Sequence, residues 1–70
     1  MKTVHDRFET SSRFGFEPPA HGTFAEAKKH AENLSPDHYP VDIYDVMARK
    51  GAPCTWNYIN NTWRVVEHKR

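Results

Sequence analysis

The sequence contains a single cysteine, Cys54, in 70 residues. One cysteine cannot form an intramolecular disulfide, and the lack of a disulfide framework indicates a reducing compartment. Long apolar runs are missing as well, since no stretch approaches the roughly 18 residues of a membrane-spanning helix. The start of the chain lacks the apolar core of a signal peptide. We therefore expect a cytoplasmic protein with no membrane partner.

An excess of charge of either sign is also missing. Ten Lys and Arg residues stand against nine Asp and Glu residues, so the formal net charge is +1 at pH 7. A dedicated nucleic-acid-binding protein of this size is normally far more basic, because contacts with phosphates dominate its affinity. We therefore expect any direct nucleic-acid binding to be weak and to depend on a local basic patch.

The chain is too short for a second domain, so we expect residues 1–70 to form one domain. A chain of this length buries only about 60% of the surface that its unfolded form exposes. Such a thin core leaves little room for an enclosed cavity with its own supporting shell, which argues against an enzyme.

Motifs for catalysis or metal binding are absent from the sequence. None of the five histidines forms the close pair with which small domains hold zinc. Cys54 follows a proline in a turn, and we interpret it as a small apolar residue at the start of a strand. The three glycines stand singly in turns and form no phosphate-binding loop. We expect no catalytic residue, no cofactor and no metal.

Apolar residues occupy even positions in the first segment, from Val4 through Phe8 and Phe14 to Phe16, and polar residues occupy most odd positions. This alternation predicts a half-buried strand. The segment is long for one strand, so we expect a bend near residues 10–12. Either one bent strand or a hairpin with a three-residue loop fits, and that hairpin keeps Phe8 and Phe14 on one face.

A helix is predicted after the proline-containing link at residues 17–22. Thr23 and Glu26 have the spacing of a capping box, and the helix is expected to run to about Leu34, before Ser35-Pro36. Its apolar stripe consists of Phe24, Ala27, Ala31 and Leu34.

The segment 41–50 fits two structures. Its β-branched and aromatic residues favour a strand, which we prefer, but Ile43, Val46 and Met47 also match a helical stripe. As a strand, the segment has apolar residues on both faces. A bulge near Asp45 or a central strand covered on both sides would account for that.

A final hairpin is predicted around Asn60-Asn61, because asparagine tolerates the positive φ of a two-residue turn. This register places Trp56, Tyr58, Trp63 and Val65 on one apolar face. The simplest use of that face is to receive the helix, so we interpret both tryptophans as core residues. We expect residues 67–70 to form a frayed end.

Together these elements predict an α+β fold with a small antiparallel sheet of three to four strands. One helix packs on one face of the sheet, in the order β(β)-α-β-β. The uncovered face is expected to be rich in the residue types of interfaces. The predicted partner-binding residues on this face are Arg7, Arg13, Tyr44, Ile59 and Arg64.

This layout resembles the small β-α-β-β proteins encoded by bacteriophages and mobile elements, which include anti-CRISPR proteins and host-takeover inhibitors. The resemblance is carried by the helix TFAEAKKHA, the middle strand VDIYDV and the hairpin segments WNY and WRV. It implies a non-enzymatic protein that occupies a surface of a larger host nucleic-acid-processing complex. It implies no particular site residue.

Two functions are consistent with these observations. The first is a protein-binding module, an inhibitor of this type or a regulator, whose partner is a host protein or protein–nucleic-acid complex. The alternative is a weak nucleic-acid-binding protein that uses the same face. In that alternative, the phosphates contact Arg7, Arg13, Lys50 and Arg64. Both a monomer and a homodimer are consistent with the sequence.

Overall fold

The structure is a computed structural model that describes residues 4–70, and residues 1–3 lie outside it. Two short 3₁₀ helices, Val4–Asp6 and Pro36–His38, precede the first and third strands. Within residues 4–70, no helix combines the length and apolar character that crossing a membrane requires. The strands and the helix are β1 (Phe8–Ser12), β2 (Gly15–Phe16), α1 (Phe24–Glu32), β3 (Val41–Asp45), β4 (Pro53–Ile59) and β5 (Thr62–His68).

The five strands form one antiparallel sheet in the order β2-β1-β3-β4-β5. The prediction of an α+β fold with an antiparallel sheet and one helix is confirmed, but the prediction of three to four strands is wrong. The sheet has five strands because the first segment folds as a hairpin and the chain after the helix contributes three more.

The first hairpin turns at Arg13 and Phe14, not at residues 10–12. Ser12 pairs with Gly15, whose φ of 113° is a conformation that favours glycine. The Ser12 hydroxyl also accepts a hydrogen bond from the amide of Phe14 at 3.0 Å, which supports a tight turn. Phe14 consequently lies at the tip of the hairpin instead of sharing a face with Phe8, so the three-residue loop that would keep both on one face is wrong.

The helix α1 begins at the predicted capping box. Thr23 Oγ1 accepts a hydrogen bond from the amide of Glu26 at 3.2 Å. Ala27 and Ala31 are fully buried, and Phe24 and Leu34 pack against the same core, so the predicted stripe is confirmed. The small alanine side chains let the helix approach the sheet closely.

The segment 41–50 begins as the preferred strand. In β3 buried and exposed residues alternate, with Val41, Ile43 and Asp45 buried. The chain leaves the sheet after Asp45, so the later apolar residues, Val46 and Met47, belong to a turn. Because Val46 and Met47 lie in a turn, the strand needs neither a bulge near Asp45 nor burial of both of its faces to accommodate them.

The final hairpin has the predicted register. Tyr58 pairs with Trp63 and Trp56 pairs with Val65, while Asn60 and Asn61 have φ values of 55° and 60°. Both tryptophans pack against the core, as expected. Trp63 also donates from Nε1 to the carboxylate of Glu32 at 2.8 Å, which connects the hairpin to the end of the helix.

The end of the chain continues the sheet instead of fraying. The strand β5 runs to His68, and Lys69 forms two backbone hydrogen bonds with the turn between β3 and β4. The amide of Gly51 donates to the carbonyl of Lys69 at 2.6 Å, and the amide of Lys69 donates to the carbonyl of Ala52 at 3.0 Å. These bonds fix two distant segments side by side at one end of the sheet.

Candidate functional site

The helix covers one face of the sheet and leaves the other, which we call the open face. Residues that pair directly across antiparallel strands point to the same face, so the register defines the members of the open face. They are Glu9, Ser11, Phe16, Asp42, Tyr44, Thr55, Asn57, Ile59, Thr62, Arg64 and Glu67.

Three of the five predicted partner-binding residues lie on the open face. Tyr44, Ile59 and Arg64 belong to the adjacent strands β3, β4 and β5. Tyr44 is 39% exposed and Ile59 is 38% exposed, and Arg64 is exposed opposite Asn57. The structure therefore brings an aromatic, an aliphatic and a cationic side chain together on one accessible surface.

Arg13 lies beside this face, in the turn between β1 and β2. Its guanidinium carbon is 5.3 Å from the ring centre of Phe14, within the range of a cation–π contact. Its amide donates to the carbonyl of His38 at 3.1 Å, which holds the turn against the segment before β3. Arg13 is thus exposed and available, although not on a strand.

Arg7 does not join the other four predicted residues. Its Nε and Nη2 donate to the two carboxylate oxygens of Asp45 at 2.8 Å and 2.9 Å. Asp45 is only 3% exposed and pairs with Phe8, which faces the helix. A buried carboxylate is costly unless it is paired and hydrogen-bonded, and Arg7 supplies that pairing.

The ion pair shifts the pKa of both groups. Burial raises the pKa of Asp45, but the hydrogen bonds from Arg7 and from the amide of Met47, with the charges of Arg7 and Lys69, outweigh it. The pKa of Asp45 therefore lies below its ordinary value. The hydrogen bond to Asp45 raises the pKa of Arg7. Both groups are charged at neutral pH.

Two phenylalanines that the alternating pattern placed on the apolar face of the first segment belong to the accessible surface. Phe14 is 64% exposed and Phe16 is 54% exposed. Phe16 pairs with Ser11 and so lies on the open face. The rings of Phe14 and His38 are nearly perpendicular, with their centres 5.2 Å apart, and His38 ends the 3₁₀ helix Pro36–His38. The sequence signal for this exposure is the two-residue turn, which removes Phe14 from the face of Phe8.

Hydrogen bonds from the segment that follows β2 hold the hairpin that carries these rings. The Ser12 hydroxyl donates to the carboxylate of Glu17 at 2.6 Å, and the amide of Glu17 donates to the carbonyl of Thr10 at 2.8 Å. Further along, Phe8 and His21 exchange two backbone hydrogen bonds of 2.8 Å and 2.9 Å. The chain after β2 therefore lies against β1, and Phe14 and Phe16 project from a fixed backbone.

The rest of the open face is polar and more acidic than basic. Asn57 donates to the carboxylate of Asp42 at 2.8 Å, and Thr55 donates to that of Glu67 at 3.4 Å. Glu9 adds a third carboxylate, and Arg64 is the one basic side chain that residues 4–70 place on this face.

The four cations of the nucleic-acid alternative do not share a surface. Arg7 binds Asp45, Arg13 lies in the first turn, Lys50 lies in the turn after β3, and Arg64 lies on the open face. The predicted basic face is therefore not formed by these residues.

The histidines and the cysteine could hold a metal ion only if several of them lay close together. In the described part of the chain, no group of three or more His, Cys, Asp or Glu side chains is arranged to hold a metal ion. His21 Nε2 and His30 Nδ1 are 3.2 Å apart. Burial and the neighbouring His21 lower the pKa of His30, against the opposing effect of Glu17. Cys54 is a buried free thiol in β4.

Comparisons with protein families, with curated proteins and with solved structures found no match to this chain.

Proposed function

We propose that this protein is a non-enzymatic protein-binding module whose partner contacts the open face and the adjacent turn at Arg13 and Phe14. The observation that carries the proposal is the exposure of Phe14 and Phe16, at 64% and 54%, on a hairpin held by hydrogen bonds. Large aromatic side chains that are exposed on a small protein are typical of binding surfaces, because a partner can bury them.

The surroundings of the two rings have the composition of an interface. Arg13 stacks on Phe14, and arginine and aromatic residues are the types that dominate binding energy. The polar pairs on the open face, such as Asp42 with Asn57, suit the hydrogen-bonded rim of an interface. The fixed backbone of the hairpin keeps the entropic cost of binding low.

A narrower role within this function is that of an inhibitor or regulator of phage or mobile-element type, which occupies a surface of a host nucleic-acid-processing complex. The resemblance in sequence pattern supports this role, although the structure has one more strand on each side of the helix than the β-α-β-β order. The carboxylates of the open face support it too, because they complement the basic surfaces with which such complexes hold phosphates. They are Glu9, Asp42 and Glu67.

The proposal is tested by capture of partners from a host lysate with three immobilised proteins. These are the wild type, the double variant Phe14→Ser/Phe16→Thr, and the control Val4→Ser/Met47→Ser. The control also removes two exposed apolar side chains, but away from the open face. We expect the control to retain the partners of the wild type and the double variant to lose them.

The same partner bound equally by all three folded proteins would contradict the proposed surface. The inhibitory role is then tested separately, by adding the protein to the captured complex and measuring its nucleic-acid binding or cleavage. We expect inhibition by the wild type and none by Phe14→Ser/Phe16→Thr. If the protein binds the complex but the activity of the complex does not change, the inhibitory role is excluded. The proposed protein-binding function would still stand.

A further inference from the structure

Two distant segments that carry basic residues lie side by side at the end of the sheet opposite the two hairpin turns, which we call the basic end. One segment is the turn between β3 and β4, and the other is the end of β5. The two backbone hydrogen bonds between Gly51, Ala52 and Lys69 hold these segments together. The basic residues of this end are Arg49, Lys50, His68, Lys69 and Arg70.

An open cleft of about 630 Å³ lies at this end. This volume is within the range of about 300–1,000 Å³ that is typical of small-ligand sites. The cleft combines an aromatic ring, apolar side chains and a run of cations. Its lining residues are Tyr44, Cys54, Val66, Glu67, His68, Lys69 and Arg70.

The carboxylates near the cleft only partly offset these cations. Asp45, close to Lys69, is held by Arg7 in a bidentate ion pair. Glu67 lines the cleft and accepts a hydrogen bond from Thr55. Glu9 lies beside Tyr44 on the neighbouring strand. We therefore expect the positive potential to be strongest on the side of Lys69 and Arg70, away from Glu9.

We propose that this cleft binds a single strand of nucleic acid, with a base stacked on Tyr44 and the backbone phosphates on Lys69 and Arg70. A positively charged groove with an exposed aromatic ring is the combination by which proteins hold single strands. An acidic peptide would form ion pairs with the cations, but its carboxylates would not stack on the Tyr44 ring. A paired base in a duplex could not reach the ring.

This inference does not rest on the proposed function, because its cations lie at the other end of the sheet from Phe14. Tyr44 and Glu67 belong both to the cleft and to the open face. The inference also differs from the nucleic-acid alternative drawn from the sequence. Of the four cations of that alternative, only Lys50 belongs to the two segments of the basic end. Arg7 lies next to these segments but is paired with Asp45, and neither residue lines the cleft.

The test is fluorescence anisotropy of a short fluorescein-labelled oligothymidylate, titrated with the protein between about 50 mM and about 200 mM salt. Three proteins are compared, namely the wild type, Lys69→Gln/Arg70→Gln and the control Lys28→Gln/Lys29→Gln. The control makes the same change in net charge on the helix. We expect the cleft variant to lose at least about tenfold in affinity and the control to lose little. The salt slope, about −0.7 for each phosphate contacted, should become shallower only in the cleft variant.

Two further variants separate stacking from charge. Tyr44→Leu should lower the affinity for the oligonucleotide by about tenfold, in keeping with the strength of base–aromatic stacking. Glu67→Gln should raise the affinity, because it removes a carboxylate from the cleft.

Several results would overturn the inference. One is an equal loss of affinity in the control, which would show attraction by net charge alone. Another is a combination of two results: polyglutamate displaces the oligonucleotide, and Tyr44→Leu leaves the affinity for the oligonucleotide unchanged. That combination would assign the cleft to an acidic protein segment. Tighter binding of a duplex, or no binding at the lowest salt, would also reject it.

Discussion

Arg7 and Asp45 form a bidentate ion pair that joins the residue before β1 to the last residue of β3. The contacts measure 2.8 Å and 2.9 Å, and the carboxylate is almost wholly buried. Asp45 also accepts a hydrogen bond from the amide of Met47 at 3.0 Å, so it fixes the start of the turn that leads to β4. Arg7, a predicted partner-binding residue, is therefore held in an ion pair within the fold.

Replacing the buried carboxylate should destabilise the protein. Asp45→Ala removes the acceptor of Arg7 and Met47, and we expect the free energy of unfolding to fall by about 1–3 kcal/mol. Urea denaturation measures this. The control Asp42→Ala, which removes an exposed carboxylate from the same strand, should change stability by no more than about 0.5 kcal/mol. Equal effects of the two substitutions would show that the ion pair contributes nothing specific.

Asp45 should also contribute to acid sensitivity. Its pKa is lower in the folded protein than the value of about 3.9 in an unfolded chain. Its contribution to stability is therefore complete above about pH 4 and is lost as the pH falls through the folded pKa. In denaturation series at decreasing pH, the wild type should lose more stability in this window than Asp45→Asn, which cannot titrate. A steeper loss in Asp45→Asn would contradict this assignment.

Thr10 offers a substitution that should stabilise the protein. Its side chain is fully buried, and its hydroxyl has no hydrogen-bond partner among residues 4–70. Thr10→Val keeps the shape and removes the buried hydroxyl, so we expect the free energy of unfolding to rise by about 1 kcal/mol. Thermal denaturation checks this against Thr62→Val, an exposed threonine, which should have little effect. A less stable Thr10→Val would mean that the hydroxyl is satisfied in solution.

Ser12 should control the rigidity of the hairpin that presents Phe14 and Phe16. Ser12→Ala removes the contacts with Glu17 and with the amide of Phe14. We expect faster amide hydrogen exchange at residues 13–16, unchanged exchange in α1 and weaker capture of the partner. Ser11→Ala, next to it on the same strand, is the control and should leave exchange in the turn as it is. No difference between the two variants would show that the turn is held by other means.

His30 should make the fold sensitive to mild acid. Burial and His21 lower its pKa below the ordinary value of about 6.5, so the folded protein favours the neutral ring. Its contribution to stability is present above about pH 6.5 and is lost as the pH falls toward the folded pKa. The wild type should therefore lose more stability than His30→Gln between about pH 7.5 and pH 5, as measured by denaturation. His68→Gln, exposed at the basic end, should follow the wild type.

The helix and the last hairpin could be predicted because their signals are local. The side chains of Thr23 and Glu26 define the start of α1 within one turn, and Asn60-Asn61 sets the register that puts both tryptophans under the helix. The first hairpin could not be placed in the same way. Its turn depends on the Ser12 hydroxyl and on the positive φ of Gly15, and the alternation of phenylalanines continued through it.

The candidate sites depend on contacts between distant residues, which a pattern along the chain does not reveal. Nothing near Arg7 in the sequence shows that it would pair with Asp45. The sequence of residues 67–70 likewise does not show that Lys69 would bond to the turn between β3 and β4. The net charge of +1 also hides the separation of an acidic open face from a basic end. The placement of Tyr44, Ile59 and Arg64 on one face followed from strand alternation alone.

The most direct test of the proposed binding surface is site-specific photocrosslinking in a host lysate. A photoreactive phenylalanine analogue replaces Phe16 in one protein and Ala25, exposed on the helix, in another. The account predicts a discrete crosslinked species from position 16 and none from position 25, because the partner covers the open face and leaves the helix free. A crosslink from position 25 with none from position 16 would contradict it.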